Sequence, residues 1–232
     1  MSLIEVKNVT KIYASGDERV SAVKDVTLSI HQGEFIALVG PSGSGKSTLL
    51  SILGTLNPPS SGEVLIDGIP VYSLSGERRA DFRSAYIGFV FQQFQLIPYL
   101  SAVENVMLPL AILKYGHREQ RVKAQHVLER VGLGDKLNRL PNQLSGGEQE
   151  RVAIARAIVN QPPIIYADEP TGALDSKTGK EIMEVFSSLH QEGLTIVMVT
   201  HNMDTLRYAG RVVPMRDGQL DNELSAARPT AL

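Results

Sequence analysis

Residues 40–48 read Gly40-Pro41-Ser42-Gly43-Ser44-Gly45-Lys46-Ser47-Thr48 and match the pattern G-x-x-x-x-G-K-[ST] at every position. The pattern follows an apolar run, Phe35–Val39, which is typical of a strand buried on both faces, and it precedes a predicted helix over residues 46–56. Glycines let the backbone turn so that successive N–H groups point at phosphate oxygens, and the helix N-terminus favours the same anion. A glycine-rich turn without a ligand is the alternative. The strand before the pattern and the helix after it favour a nucleoside triphosphate site.

Such a site also needs a way to hold a metal ion. Within the pattern, Lys46 is expected to reach the β- and γ-phosphates, and the Ser47 hydroxyl is expected to ligate Mg²⁺. A second apolar run, residues 163–167, ends in Asp168 and Glu169. Asp168 is placed to contact Mg²⁺ directly or through water, and Glu169 to polarise an attacking water as general base. Acidic strand ends are common, so this pair is strong evidence only together with residues 40–48.

Composition narrows the class of protein. The 232 residues are 43% apolar and 21% charged, carry a formal net charge of −2 and contain no cysteine. These values are typical of a soluble globular chain, and they exclude a disulfide scaffold, a thiolate metal site and a cysteine nucleophile. The charge balance gives no support to nucleic-acid binding, and no run approaches the roughly 18 apolar residues that span a membrane. The first residues lack the layout of a signal peptide.

The order of strands and helices predicts an α/β fold with one helical insert. Further strands are expected over residues 3–11, 20–30, 87–91, 163–167 and 194–200, and further helices over residues 118–131, 148–160 and 177–191. Ser101 and Glu104 have the spacing of a capping box. Pro214 predicts that residues 211–216 form an edge strand. Residues 222–232 are polar and are expected to be loose. The alternation of apolar strands with amphipathic helices indicates a largely parallel sheet.

Leu144-Ser145-Gly146-Gly147-Glu148 lies between the glycine-rich loop and the acidic strand end, and it resembles the signature motif of ATP-binding-cassette (ABC) ATPases. The resemblance covers nearly the whole chain, with the motifs in the family's order. It implies a P-loop NTPase (RecA-like) fold: a mostly parallel core, an N-terminal antiparallel β subdomain and a helical insert that carries the signature. The chain is then one domain, residues 1–232, with residues 93–159 as the helical subdomain and residues 1–92 and 160–232 as the remainder.

The signature residues also have a physical reading. Ser145 and the amides of Gly146 and Gly147 cap a predicted helix start, which is a second anion site. The resemblance implies that this site, with Glu148, faces the γ-phosphate of ATP held by a second copy, so that two copies close head-to-tail around two MgATP. A plain helix cap is equally compatible with these residues.

The resemblance assigns further roles one position at a time. Tyr13 matches the aromatic residue that stacks on adenine, and residues 173–175 match a loop at the dimer interface. Gln92 matches the glutamine that senses Mg²⁺ and the attacking water, and His201 matches the switch histidine at the γ-phosphate. Without the resemblance, Tyr13 would be strand packing, Gln92 a solvated loop residue and His201 a capping or core residue.

The expected site is therefore composed of three overlapping sets. The catalytic set is Lys46, Gln92, Glu169 and His201; the metal set is Ser47, Gln92 and Asp168; the nucleotide set is Tyr13, residues 40–48, Gln92, residues 145–148 and Asp168. Glu148 and Glu150 stand where many members carry glutamine, and Asn202 stands where aspartate is more frequent. Because none of the three supplies a group used directly in the chemistry, we expect an active ATPase with ATP and Mg²⁺ as cofactors.

Residues 87–92, Phe94, Leu96, Pro98, residues 104–106 and residues 167–172 resemble one branch of the family. That branch contains the ATPases of macrolide-type efflux pumps, lipoprotein release, heme and antimicrobial-peptide exporters and the cell-division cassette. The resemblance implies membrane permease subunits as partners, with a coupling helix in a groove near residues 92–105 and the protein peripheral at the cytoplasmic face of the inner membrane.

Four alternatives are considered at this stage. Phe94 and residues 96–99 are either the floor of that groove or packing for the helical insert. The cassette of an importer permease is an alternative to the exporter branch. A soluble ABC ATPase of DNA repair or the ribosome is disfavoured, because the chain has neither a long heptad run nor a second G-x-x-x-x-G-K-[ST]. A regulatory module without turnover is countered by Glu169 and His201.

Overall fold

The computed structural model describes residues 2–15 and 18–221, so the expected loose segment 222–232 lies outside the described residues. The strands are β1 (Ser2–Ser15), β2 (Glu18–His31), β3 (Phe35–Val39), β4 (Ser61–Ile66), β5 (Ile69–Pro70), β6 (Ile87–Val90), β7 (Ile164–Asp168), β8 (Thr195–Val199), β9 (Arg211–Arg216) and β10 (Gln219–Leu220). The helices are α1 (Lys46–Leu53), α2 (Gly76–Tyr86), α3 (Ala102–Met107), α4 (His117–Arg130), α5 (Gly146–Ile158) and α6 (Ser176–Gln191).

The N-terminal part forms an antiparallel sheet in the order β2-β1-β4-β5. β1 and β2 pair along their length, from Ile4 opposite Ile30 to Tyr13 opposite Val20. Ile4 and Ile30 are fully buried because alternate residues of each strand point into the core beneath the sheet. The alternation that predicted a strand over residues 3–11 therefore holds, and the strand extends beyond it at both ends.

The second sheet positions the site. Its order is β10-β9-β3-β8-β7-β6, and β9, β3, β8, β7 and β6 run parallel to one another. The carboxyl ends of parallel strands meet at one edge of a sheet, which is where α/β proteins bind ligands. The residues that follow β3, β6, β7 and β8 consequently lie near each other although they are far apart in sequence.

The prediction that residues 211–216 form an edge strand is wrong. β9 pairs with β3 on one side and with the two-residue strand β10 on the other. Asp221 N–H donates to the Pro214 carbonyl at 2.9 Å, so the carbonyl and the ring nitrogen of Pro214 face β10. The proline thus costs no hydrogen bond to β3, which is why it is tolerated inside the sheet.

The helical insert packs on one face of the parallel sheet. Val103 and Val106 of α3, Leu128 of α4 and Ile154 of α5 belong to one buried apolar cluster with residues of β7 and β8. The predicted capping box at Ser101 and Glu104 is present at the start of α3. The α/β P-loop fold with an antiparallel β subdomain is confirmed, whereas the subdomain limits 93–159 stay a prediction.

One predicted helix is shorter than expected, and three elements were not predicted. The helix predicted over residues 46–56 ends at Leu53, and a Cβ on the following Gly54 would lie 1.8 Å from Phe89 Cζ. Helix α2 and the strands β4 and β5 were not predicted.

Within residues 2–15 and 18–221, no helix combines the length and apolar character that crossing a bilayer requires.

Candidate functional site

The glycine-rich loop connects β3 to α1, and two of its glycines are required by the space around them. Gly45 has φ 97°, and a Cβ there would lie 2.2 Å from the Ala22 carbonyl oxygen. A Cβ on Gly40 would lie 2.1 Å from the Met215 carbonyl oxygen. Only glycine fits both positions, so the loop is held in one shape between the β subdomain and the end of β9.

Lys46 is the cation of this loop. Its side chain is 7% exposed, and Nζ donates hydrogen bonds to the carbonyls of Gly40 and Pro41 at 2.8 Å each. Burial lowers the pKa of Lys46, while the carboxylates of Glu169 and Asp168 act in the opposite direction. The ammonium group is thus fixed over the loop by neutral carbonyls, and a phosphate anion would be a stronger partner for it.

Ser47 and Asp168 form the part of the site that suits a hard cation. Ser47 Oγ donates to Asp168 Oδ1 at 3.1 Å. Burial raises the pKa of Asp168, and the hydrogen bond from Ser47 opposes that rise. Mg²⁺ is usually bound by one or two carboxylates together with substrate phosphates and water. One carboxylate and one hydroxyl, adjacent to a phosphate-binding loop, fit that description.

The carboxylate of Glu169 lies between the ends of two other strands. Gln92, after β6, donates from Nε2 to Glu169 Oε2 at 3.0 Å. His201, after β8, places Nδ1 3.0 Å from Glu169 Oε1. The backbone of Glu169 has φ 49°, and its N–H donates to the Val199 carbonyl at 2.9 Å. A left-handed glutamate costs about 1–3 kcal/mol, a strain that is typical of functional sites.

These residues surround one cavity of about 680 Å³. Its walls are residues 40–48, Ala22, Gln92, Glu169 and His201. The structure therefore brings together the predicted catalytic set of Lys46, Gln92, Glu169 and His201. Asp168 joins them through Ser47.

Two of the residues predicted to bind the nucleotide, Tyr13 and Ser145, do not line this cavity. Tyr13 is 43% exposed on β1, its hydroxyl accepts a hydrogen bond from Asn57 Nδ2 at 2.6 Å, and Lys11 Nζ lies 5.2 Å from its ring centroid. Ser145 is exposed at the start of α5 and also lies outside the cavity walls. Tyr13 is thus fixed by its neighbours, and neither Tyr13 nor Ser145 contributes to the walls of this cavity.

The signature segment is a complete helix cap. Ser145 Oγ accepts from the Glu148 N–H at 3.3 Å, and Glu148 Oε2 accepts from the Ser145 N–H at 2.9 Å. Glu148 Oε1 also pairs with Lys136, and these bonds lower the pKa of Glu148. The Glu148 carboxylate is therefore occupied within the chain. The groups that remain for an anion are the exposed Ser145 hydroxyl and the N–H of the half-buried Gly146.

The loop 173–175 lies against this helix start. A Cβ on Gly146 would lie 3.2 Å from Leu174 Cδ2. Asp175 caps α6 by accepting hydrogen bonds from the N–H groups of Lys177 and Thr178 at 3.0 Å each. The start of α5 and the start of α6 are consequently held as one surface.

Several residues around the site were not predicted. Ala22 lines the cavity, and Gly218 N–H donates to the Ser44 carbonyl at 3.1 Å, so the β9–β10 turn supports the phosphate loop. The Asp217-Gly218 pair is a hairpin signal that could have identified this turn. No local signal identifies Ala22, because its role depends on long-range packing.

Comparisons with known proteins extend the geometric description. The family model described as ABC transporter matches residues 23–172. The ABC transporter ATP-binding protein MJ1508 of Methanocaldococcus jannaschii is 50% identical over 218 residues, which are 94% of this chain and 97% of that protein. The macrolide export ATP-binding/permease protein MacB of Neisseria meningitidis is 45% identical over 225 residues, which are 97% of this chain and 35% of MacB. The chain thus spans about a third of MacB.

Two solved structures are similar to this chain in fold and in sequence. A dimeric structure of the ATP-binding cassette MJ0796 of M. jannaschii, bound to ADP and Pi, has a TM-score of 0.87 and 49% identity, covering 94% of this chain and 97% of that chain. The structure of CbiO1 from Clostridium perfringens has a TM-score of 0.84 at 31% identity, covering 95% and 87%.

The fold and the site define a P-loop ATPase. The family match and the identities show that the chain belongs to the ABC transporter family, as one of its ATP-binding proteins.

Proposed function

We propose that the chain hydrolyses MgATP with Glu169 as the general base, and that it drives membrane permease subunits. The observation that carries the catalytic part is the position of the Glu169 carboxylate. It lies beside the phosphate loop and is bracketed by Gln92 and His201 at 3.0 Å each. A carboxylate held in this way can orient and deprotonate a water molecule that attacks a bound phosphate.

Each remaining site residue has a role in this proposal. Lys46 moves its hydrogen bonds from the loop carbonyls to the phosphates, and His201 contacts the γ-phosphate. Ser47, Asp168 and Gln92 would hold Mg²⁺. That ion would supply positive charge against the negative charge that develops on the phosphates. Tyr13 offers its ring to the adenine base.

The exposed Ser145 at the start of α5 supports action as a pair of copies. Ser145 lies outside the walls of its own chain's cavity, so its helix start is free to face the nucleotide of a second copy. MJ0796, at 49% identity, is described as a dimer in a post-hydrolysis state with ADP and Pi. We infer that two copies of this chain close head-to-tail around two ATP molecules, with residues 173–175 at the interface.

An apolar groove supports a membrane partner. It has a volume of about 400 Å³ and lies between α2, β6 and residues 108–112. Leu56, Leu108 and Ile112 line it with exposed fractions of 48%, 37% and 67%. The expected location near residues 92–105 is adjacent to this groove, but Phe94 and residues 96–99 are not among its walls, and Leu96 packs against the core of the insert.

The comparison with MacB supports an exporter-type partner. MacB carries an ATP-binding part and a permease part in one protein. We propose that this chain receives the coupling helix of a separate permease in the groove, and that the complex lies at the cytoplasmic face of the inner membrane. CbiO1 belongs to a transporter complex, CbiONQ, and is less similar to this chain at 31% identity.

Recovery of the permease from detergent-solubilised membranes tests this proposal. The tagged wild-type chain should capture a permease with few membrane spans and a large extracytoplasmic domain. Ile112→Asp should reduce its recovery at least tenfold, because a charge would be buried in the groove. Val122→Asp is the matched control, since Val122 is 61% exposed on α4 outside the groove. Capture of a many-span permease would contradict the exporter branch, and capture of soluble proteins alone would contradict the transporter role.

A further inference from the structure

The segment 57–60 lies beside the end of β1 that carries Tyr13. It reads Asn57-Pro58-Pro59-Ser60 and follows α1 closely along the chain. Proline fixes its own φ and restricts the residue before it, so the two prolines stiffen the backbone from Asn57 onward. None of the four residues is among the described walls of the cavity around residues 40–48. Their contacts with β1 therefore serve something other than direct contact with the phosphates.

Hydrogen bonds attach this segment to β1 immediately before Tyr13. Ser60 N–H donates to the Thr10 carbonyl at 2.8 Å, and Ser60 Oγ accepts from the Ile12 N–H at 2.9 Å. Between these two residues, Lys11 Nζ donates to the Pro58 carbonyl at 2.6 Å. Three consecutive residues of β1 are thus bonded to the segment. The backbone that carries Tyr13 is consequently held against a stiff support.

The side chain of Tyr13 is itself held at two points. Asn57 Nδ2 donates to the Tyr13 hydroxyl at 2.6 Å, and Lys11 Nζ lies 5.2 Å from the ring centroid. The hydroxyl lies on the axis of ring rotation, so the bond from Asn57 determines where the ring points. The ammonium group over one ring face favours one rotation about that axis. The ring is 43% exposed, so it keeps surface on which a flat aromatic group can stack.

Asn57 is also connected to the helix that begins at the phosphate loop. The Tyr72 hydroxyl lies 2.6 Å from the Ile52 carbonyl oxygen and 2.8 Å from the Asn57 carbonyl oxygen, and its one proton is shared between them. Burial raises the pKa of Tyr72, so this hydroxyl stays protonated and able to donate. Ile52 belongs to α1, whose first residue is Lys46. Bonded residues therefore lead from the phosphate loop to the Tyr13 ring.

We propose that Asn57 is a positioning residue for the adenine base, whose side-chain amide holds the Tyr13 ring in the orientation that stacks on adenine. A ring that is ordered before the nucleotide arrives loses less conformational freedom on binding, so affinity rises. The base is remote from the phosphate at which the bond breaks, so the contribution falls on binding and not on chemistry. This inference rests on the role that the proposed function gives to Tyr13.

Asn57→Ala tests the proposal by removing the donor. We expect KM for ATP to rise about fivefold, with kcat changed less than about twofold. Tyr13→Phe keeps the ring and removes the hydroxyl, so it should raise KM by a similar factor. In the Tyr13→Phe background, Asn57→Ala should have no further effect, because the bond is already absent. Asn57→Asp should restore a KM near that of the wild type, since the Tyr13 hydroxyl can donate to the carboxylate.

Two further variants separate the possible failures. Asn138→Ala is the matched control and should keep the wild-type KM, because Asn138 is an exposed asparagine of the insert that accepts a hydrogen bond from Arg121 at 3.0 Å. Tyr13→Ala removes the whole ring and should raise KM more than Asn57→Ala does.

Three results would overturn the positioning role of Asn57. One is an unchanged or lowered KM in Asn57→Ala while Tyr13→Ala raises KM, which would leave the proposed function intact. Another is a loss confined to kcat. The third is a rise in KM that persists when Asn57→Ala is added to Tyr13→Phe, because Asn57 would then act on the fold of its own segment. An unchanged KM in Tyr13→Ala would instead contradict the role proposed for Tyr13, and this inference with it.

Discussion

The carboxylate of Glu169 shows how single residues acquire a role from topology. Its contacts at 3.0 Å come from Gln92 and His201, which follow two different strands of the same sheet. The acidic strand end was predictable, because Asp168 and Glu169 follow an apolar run. The contacts of Gln92 and His201 with Glu169 were expected only through the family resemblance. Without it, nothing in the sequence around Gln92 or His201 indicates a functional role.

Glu150 is fully buried in α5, and this leads to a prediction about stability. Burial raises its pKa to about 8. Below about pH 4.5 its carboxyl is protonated in both the folded and the unfolded chain. Between that pH and about 8 the unfolded chain loses the proton while the folded chain keeps it. The free energy of unfolding of the wild type therefore falls as pH rises through this range, by up to about 1.4 kcal/mol per pH unit.

Denaturant unfolding of the wild type and Glu150→Gln between about pH 5 and about pH 8 measures this effect. The difference in free energy of unfolding should shift steadily in favour of the glutamine variant as pH rises. A difference that stays constant across the range would show that burial does not raise the pKa of Glu150.

At the scale of elements, two helix starts offer a matched comparison. Ser101 and Ser145 both form capping boxes, with Glu104 and Glu148 respectively. Replacing either serine by alanine should cost about 1 kcal/mol of stability, because Ser145 would lose the bond from the Glu148 N–H and Ser101 would lose its bond to the Glu104 carboxylate. Ser145→Ala should in addition lower ATPase activity about tenfold, since its hydroxyl faces nucleotide in the proposed dimer.

Thermal unfolding and ATPase assays of the two variants measure these effects together. Ser101→Ala should keep wild-type kcat. Equal kcat in the two variants would mean that Ser145 is a cap and nothing more.

The elements also show where sequence patterns reach their limit. The phosphate loop and its flanking strand and helix were predicted because their signals are local. Helix α2 was not predicted, because Phe82 is its one buried residue and most of its other residues are polar. β4 buries only Val64 and Ile66, so the alternation of apolar and polar residues is too short to predict a strand. The edge-strand error at Pro214 arose because β10, two residues long, leaves little sequence signal.

For the whole molecule, the arrangement of the two proposed anion sites is the main result. One lies in the cavity around residues 40–48, and the other is the start of α5 at the exposed Ser145. A single chain does not bring them to the same cavity. Two copies related head-to-tail would bring the two sites together. Each bound nucleotide would then hold the two copies in the closed dimer. The sequence contained both sites, but their separation became visible only in the fold.

The most direct test of this account is the mass of Glu169→Gln in solution, measured by light scattering with and without MgATP. Loss of the general base should stop hydrolysis while both anion sites stay intact, so ATP should accumulate in a closed pair. The account predicts twice the monomer mass with MgATP and the monomer mass with ADP. A monomer under both conditions, with ATP demonstrably bound, would contradict it.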